Sequence, residues 1–339
     1  MNNTIKAFFL GLLFINASVV AQKPKVWIYT DMSDNTIPGK NHMKTVNDPD
    51  DISAMAGYLL MANMFDTKGI VVTSTHRSEH KNSGNQADWA NDFFGKAYKK
   101  DVLNLNINIG GYPKNIEFIQ SCIKESAEKY NSNTAYKSLE NYKTVALLKD
   151  EVEKSNEIIN VLCWGSLTEP AILVNYCIEN KRFDLLKKLR FIAHWTNSSL
   201  HQGTPEDPAK VANCNEDRAA CEFLKAQALK GDITYFECGA IGQHGIVSGS
   251  PKGVDYYNQF KKSNLGKIFA EGKFVQDAVD HSDAATYWVL LGNYGVSLKE
   301  IVSNSNNSPE VEKKNEERFS QFSKKIHDEL LRRSKAAEN

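Results

Sequence analysis

The sequence predicts an α/β fold: a mostly parallel open sheet flanked by helices, with a C-terminal amphipathic helix. Two observations carry this. Short β-branched and aromatic runs alternate with helical patterns along the 339 residues, and such alternation builds βαβ units whose sheet is covered on both faces. Near the end, Phe319, Phe322, Ile326 and Leu330 recur at helical spacing in the charged stretch 310–337, the signature of a helix that packs one stripe on a body.

The chain opens with Lys6, an apolar run over 7–15 and the small-residue sequence Val19-Val20-Ala21. This pattern predicts a secretory signal peptide over 1–21, cleaved after Ala21, and a secreted or periplasmic product. The run is too short for a membrane span. Residues 22–302 form the expected α/β domain, and 303–339 a linker and a helix packing on the same domain. The expected strands are 26–30, 69–75, 103–109, 158–164, 189–195 and 233–238. The expected helices include 52–65, 86–99, 116–130, 169–179, 217–229 and 284–291.

Charge is balanced, with 41 basic and 41 acidic residues, which disfavours nucleic acid as a partner. Six cysteines occur. Export permits disulfides, and Cys214–Cys221 is the pair to test first, although both could simply line one helix face.

Polar clusters follow the strands, where ligands bind in such sheets. Asp31 and Asp34 follow the first strand, and Asn47-Asp48-Pro49-Asp50-Asp51 open the next helix. Helix capping explains one or two of these acids. Five crowded carboxylates repel one another and point to a hard cation, calcium rather than zinc. His76, Arg77 and His80 follow the second strand, and cationic groups there suit an anionic sugar. Trp164 and Trp195 stand at strand ends, where they could stack on sugars or pack in the core. Thr168 lies in a strand-to-helix turn, and Asn213 in a polar loop before Asp217. Asp280-His281-Ser282-Asp283 forms a second acidic cluster, in which His281 could act as a general acid.

Together these fragments resemble the nucleoside-hydrolase superfamily, most closely its secreted nucleoside-hydrolase-like branch in polysaccharide-degrading bacteria. The resemblance lies in Asn47 to Asp51, in Gly165-Ser-Leu-Thr-Glu-Pro-Ala-Ile172, in Asn213 to Asp217 and in Ser282-Asp283-Ala284-Ala285. It implies that Asp51 and Asp283 hold calcium with the Thr168 carbonyl, and that Asp50 and Asn213 contact sugar hydroxyls. One carboxylate of the first loop would deprotonate a calcium-bound water that attacks an anomeric carbon.

Departures from that pattern matter. An insertion over 35–46 splits the acidic loop, so Asp31, Asp34 and Asp48 compete for the base and third-ligand roles. His76, Ser282 and Val211 stand where the family reads ribose and base. The metal half of the site survives and the nucleoside-reading half does not. The expected function is therefore calcium-dependent cleavage of a glycosidic bond in an oligosaccharide or glycoside during polysaccharide breakdown. Elimination on a uronic-acid-containing oligosaccharide, with His76 or His281 among the candidate bases, is the alternative. Carbohydrate binding without catalysis is the third reading. The partner is a saccharide, acidic in the second reading, and homo-oligomer formation stays open.

Overall fold

Alternate residues of the first strand, β1 (Lys25–Tyr29), enter two different cores. Val26 and Ile28 join one core, while Trp27 and Tyr29 join the other. This is the period of two expected of a strand buried on both faces. The computed structural model describes residues 22–40, 44–77, 83–123, 128–304 and 308–338. The expected signal peptide and His80 lie outside the described residues.

Six parallel strands form the sheet. They are β1, β2 (Asp66–Val72), β3 (Phe118–Gln120), β4 (Ile159–Cys163), β5 (Leu189–Ala193) and β6 (Thr234–Glu237). Their order is β3-β2-β1-β4-β5-β6. The chain steps outward from β1 to β3, then returns to place β4 on the other side of β1. That reversal is a topological switch point, and a crevice opens there at the carboxyl ends of the strands. Gly69 lets β2 pass beside Trp27, because a Cβ at that position would lie 2.4 Å from the indole.

One face of the sheet is covered by Pro49–Leu60, Lys96–Asn108, Asn264–Ala270, Ala285–Leu291 and the long helix Pro309–Ala336. The other is covered by Lys143–Lys154, Thr168–Glu179 and Arg218–Lys230. Phe319, Ile326 and Leu330 of the long helix lie fully buried in the same core as Val26 and Ile28. Phe322 is only half-buried.

One expected strand is a helix. Leu103, Leu105, Ile107 and Ile109 alternate with polar residues, yet Lys96–Asn108 is helical. The helical spacing of the buried residues Tyr98, Asp101 and Leu105 prevails, and Leu103 and Ile107 are left exposed. The third strand is instead Phe118–Gln120, inside the expected helix 116–130. Cys214 and Cys221 are disulfide-bonded, with their Cα atoms 5.4 Å apart.

Candidate active site

Asp31 sits one residue beyond Thr30 at the end of β1, fully buried at the switch point. Gly165, beyond β4, makes room for it: a Cβ there would lie 2.7 Å from the Asp31 Cβ and 3.0 Å from the Ser74 carbonyl. The insertion does not separate the acids. The chain leaves at Ser33, whose N–H donates to the Asn47 side-chain oxygen at 2.9 Å, and returns at Asn47. Between them Ile37–Gly39 pairs with 44–46. Asp48 then precedes the helix Pro49–Leu60, with Pro49 in the first turn and no side-chain cap from Asp48.

Two overlapping groups of carboxylates result. Oxygens of Asp31, Asp48 and Asp51 lie within 4.8 Å of one another, as do those of Asp50, Asp51 and Asp283. Thr30 donates its hydroxyl to Asp51, and Ser282 donates its hydroxyl to Asp50 at 3.1 Å. Burial is the main force raising the Asp51 and Asp283 carboxyls well above the carboxylate range, and like-charged neighbours add to it. Burial likewise pushes Asp31 up to about 7, against the pull of Arg77. Asp48 also rises to about 7, through burial and the Asp50 charge.

The residues fit a hard cation. The donors are all carboxylate oxygens, and the buried Oδ1 of Asp31 has no hydrogen-bond partner. Calcium is not the only available counter-charge, however. Arg77 donates from Nη2 to Asp31 at 3.0 Å and to Asp48, and from Nε to Glu216 at 2.9 Å. Lys273 pairs with Asp280 at 2.9 Å.

A cavity of about 580 Å³ opens over these groups, lined on the acidic side by Asp48, Asp50, Asp51 and Asp283. Trp164, His194, Trp195, Gln202, Asn213 and Gln243 form much of the remaining wall, with Lys40, Arg77 and Lys273 as cationic groups. Trp195 has a left-handed backbone, φ +49°, and its ring meets those of His194 and His244 edge-on. Trp164 is buried, and its indole N–H donates to the Thr286 hydroxyl at 2.7 Å.

Several expected site residues lie elsewhere or are otherwise engaged. Asp34 accepts from the N–H and hydroxyl of Thr36 at 2.8 and 2.7 Å, so it caps its own turn and is no ligand of the cluster. His281 is buried with its Nε2 3.3 Å from that of His327, and its ring is edge-on to Phe269. This packing removes it from the cavity and from any proton-transfer role. His76 is not among the cavity-lining groups: its Nε2 is 2.7 Å from the Thr168 hydroxyl and 3.7 Å from Asp217. The Thr168 side chain, as distinct from the carbonyl expected to join the cation, belongs to a network with His76, Ser166 and Asp217. Asn213 does line the cavity. Its amide nitrogen donates to the carbonyls of Trp164 and His194, both at 3.0 Å, so both hydrogens hold strand ends together.

Sequence reasoning missed three groups. His194 precedes Trp195 and lies 3.8 Å from Asp283, and burial lowers its pKa to about 3, which keeps it neutral. Glu216 lay within the Asn213–Asp217 motif, but its reach to Arg77 had no sequence signal. Lys273 had none either.

Residues 43–194 match a family described as "Cellulose-binding Sde182, nucleoside hydrolase-like domain". Among solved structures, the chain resembles a nucleoside hydrolase-related protein from Saccharophagus degradans associated with carbohydrate metabolism. Identity is 16 % over 94 % of this chain and 72 % of that one, with a TM-score of 0.61. At that identity the likeness is one of fold. An inosine-uridine preferring nucleoside hydrolase from Bacillus anthracis is more distant, at 14 % identity over 92 % of this chain and 99 % of that one, TM-score 0.46. No curated protein matches the chain by sequence.

Proposed function

We propose that this chain, whose residues 43–194 match a nucleoside hydrolase-like domain family, is a secreted or periplasmic enzyme of the carbohydrate-associated branch of that superfamily. It would cleave a glycosidic bond in an oligosaccharide or glycoside with the help of calcium. The observation that carries this reading is a single cavity joining Asp48, Asp50, Asp51 and Asp283 to the partly exposed ring of Trp195, while Trp164 packs in the core. Sugar rings present apolar faces to aromatic side chains and hydroxyls to carboxylates.

Asp50, Asp51 and Asp283 would hold the cation. Bound there, it would supply a positive charge that acidifies water or a sugar hydroxyl. Asp48 is the residue we assign as base. It reaches the cavity with a side chain 26 % exposed, where a carboxylate can take up a proton from a bound water or sugar hydroxyl. Asp31 stands behind it, engaged with Arg77, and positions rather than reacts. Trp195 offers its ring as a platform, and Asn213 holds the ends of β4 and β5 at the spacing the cavity needs. Burial keeps His194 neutral beside Asp283, so it adds no charge there.

One observation favours a second reading. Lys40, Arg77 and Lys273 line the same cavity, which suits a uronic acid and an elimination that removes the proton α to its carboxylate and expels the oxygen on the β carbon. Incubation with nucleosides, neutral oligosaccharides and acidic oligosaccharides, with and without chelator, separates the readings. New reducing ends without ultraviolet absorbance, lost with chelator, support hydrolysis. Ultraviolet absorbance of an unsaturated uronate, with or without new reducing ends, sinks hydrolysis and supports elimination. The family description as cellulose-binding makes saccharide binding without turnover the third outcome, and that outcome would sink both enzyme readings.

A further inference from the structure

Arg77 is held too firmly to be an incidental surface ion pair. Its Nε donates to one oxygen of Glu216 at 2.9 Å. The other Glu216 oxygen accepts from the Thr75 hydroxyl at 2.7 Å and from the His76 N–H at 3.3 Å. One carboxylate thus clamps both the Arg77 side chain and the backbone that carries it. The guanidinium is thereby aimed at Asp31 and Asp48 through Nη2. This is the planar fork that suits arginine and not a point charge. Asp31 is buried, its Oδ2 taken by Arg77 and its Oδ1 without a hydrogen-bond partner.

We infer that Arg77 is a built-in counter-ion of the acidic centre and competes with a divalent cation for Asp31 and Asp48. The cation is thereby confined to Asp50, Asp51 and Asp283, the second carboxylate group. Asp51 belongs to both groups, so the two positive charges feel each other through it. Each weakens the hold of the other. The inference rests on the cation part of the proposed function.

Calcium ions alone, titrated calorimetrically into the full folded chain, test it. Arg77→Gln removes a unit charge from beside the cation. It is expected to raise calcium affinity about tenfold or more, or to add a second bound ion. It also lowers the melting temperature in chelator, and saturating calcium restores it. Arg77→Lys keeps the charge and loses the fork, and its calcium affinity is expected to fall between wild type and Arg77→Gln. Glu216→Gln releases the clamp that aims Arg77 at Asp31 and Asp48 and is expected to raise calcium affinity although it removes a negative charge. That sign, opposite to the bare loss of an anion, decides the matter should Arg77→Gln fail to fold. Calcium binding that is the same in wild type and in the folded variants overturns this inference alone. Absence of calcium binding in every form overturns both it and the cation reading beneath it.

Discussion

Asp51 and Asp283, one from the first turn of the helix after β1 and the other from beyond the short strand Ala278–Val279, bring carboxylate oxygens within 4.8 Å of each other. Two buried anions at that distance repel strongly unless protonated or bridged. Asp51→Ala is therefore expected to abolish calcium binding, and Asp51→Asn to weaken it by at least about a hundredfold. In chelator the Asn variant melts no lower than wild type, because it removes the repulsion and keeps an acceptor for the Thr30 hydroxyl. Calorimetric titration and thermal unfolding read both effects. An unchanged calcium isotherm would refute the ligand.

Gly165 tests how tightly the Asp31 position is built. An alanine methyl would press on Asp31 and on the Ser74 carbonyl. Gly165→Ala should cost about 1–3 kcal/mol of stability, the usual penalty for overpacking. Calcium affinity should change far less, because Asp31 is engaged by Arg77 and not by the cation. Denaturant unfolding without any change would show that the strands can part freely.

Trp195 is the platform to remove. Trp195→Ala should weaken saccharide binding roughly tenfold while leaving calcium binding intact. Loss of ligand-induced tryptophan fluorescence change, with an unaltered calcium isotherm, is the expected pair of results.

Asn213 should matter for stability more than for direct recognition. Asn213→Leu leaves the carbonyls of Trp164 and His194 without their donor, at a cost of about 2–3 kcal/mol. Circular dichroism melts measure it. A variant as stable as wild type would return Asn213 to the role of a hydroxyl clamp.

His327 predicts a pH dependence. Burial lowers its pKa to about 4 from an ordinary value near 6.5. A depressed histidine contributes stability that is complete above pH ~6.5 and is lost as pH falls toward ~4. By pH 5 the loss is about 2 kcal/mol relative to pH 7.5. Urea unfolding over that range should show the loss in wild type and a flatter profile in His327→Phe.

Most of this architecture was legible in the residues because it follows from periodicity. Val26 to Thr30 and 158–164 announce buried strands by composition alone, and the observed β1 and β4 fall within one residue of them. The stretch 103–109 misled because its alternation fits a strand while Tyr98, Asp101 and Leu105 fit a helix, and only tertiary burial arbitrates. At the site, Asp48, Asp50 and Asp51 were legible as a cluster because like charges so close demand a partner, whereas Asp283 joined them through the family resemblance. That Arg77 would be one such partner was not legible, since Glu216 and Arg77 are brought together only by the fold. His281 illustrates the reverse error: a histidine beside an acidic motif looks reactive until His327 closes over it.

The place of β1 in the sheet has a consequence for how the molecule is made. The first strand of the sheet to leave the ribosome is flanked on both sides in the finished molecule, by β2 and by the much later β4. During synthesis Asp31, Asp48 and Asp51 must wait with one edge of β1 uncovered until residues 159–163 emerge. They wait longer still for Asp283. The acidic centre is thus among the last features of the chain to be completed, and a nascent chain passes through a long interval with an open strand edge, the interval in which a chaperone is most useful.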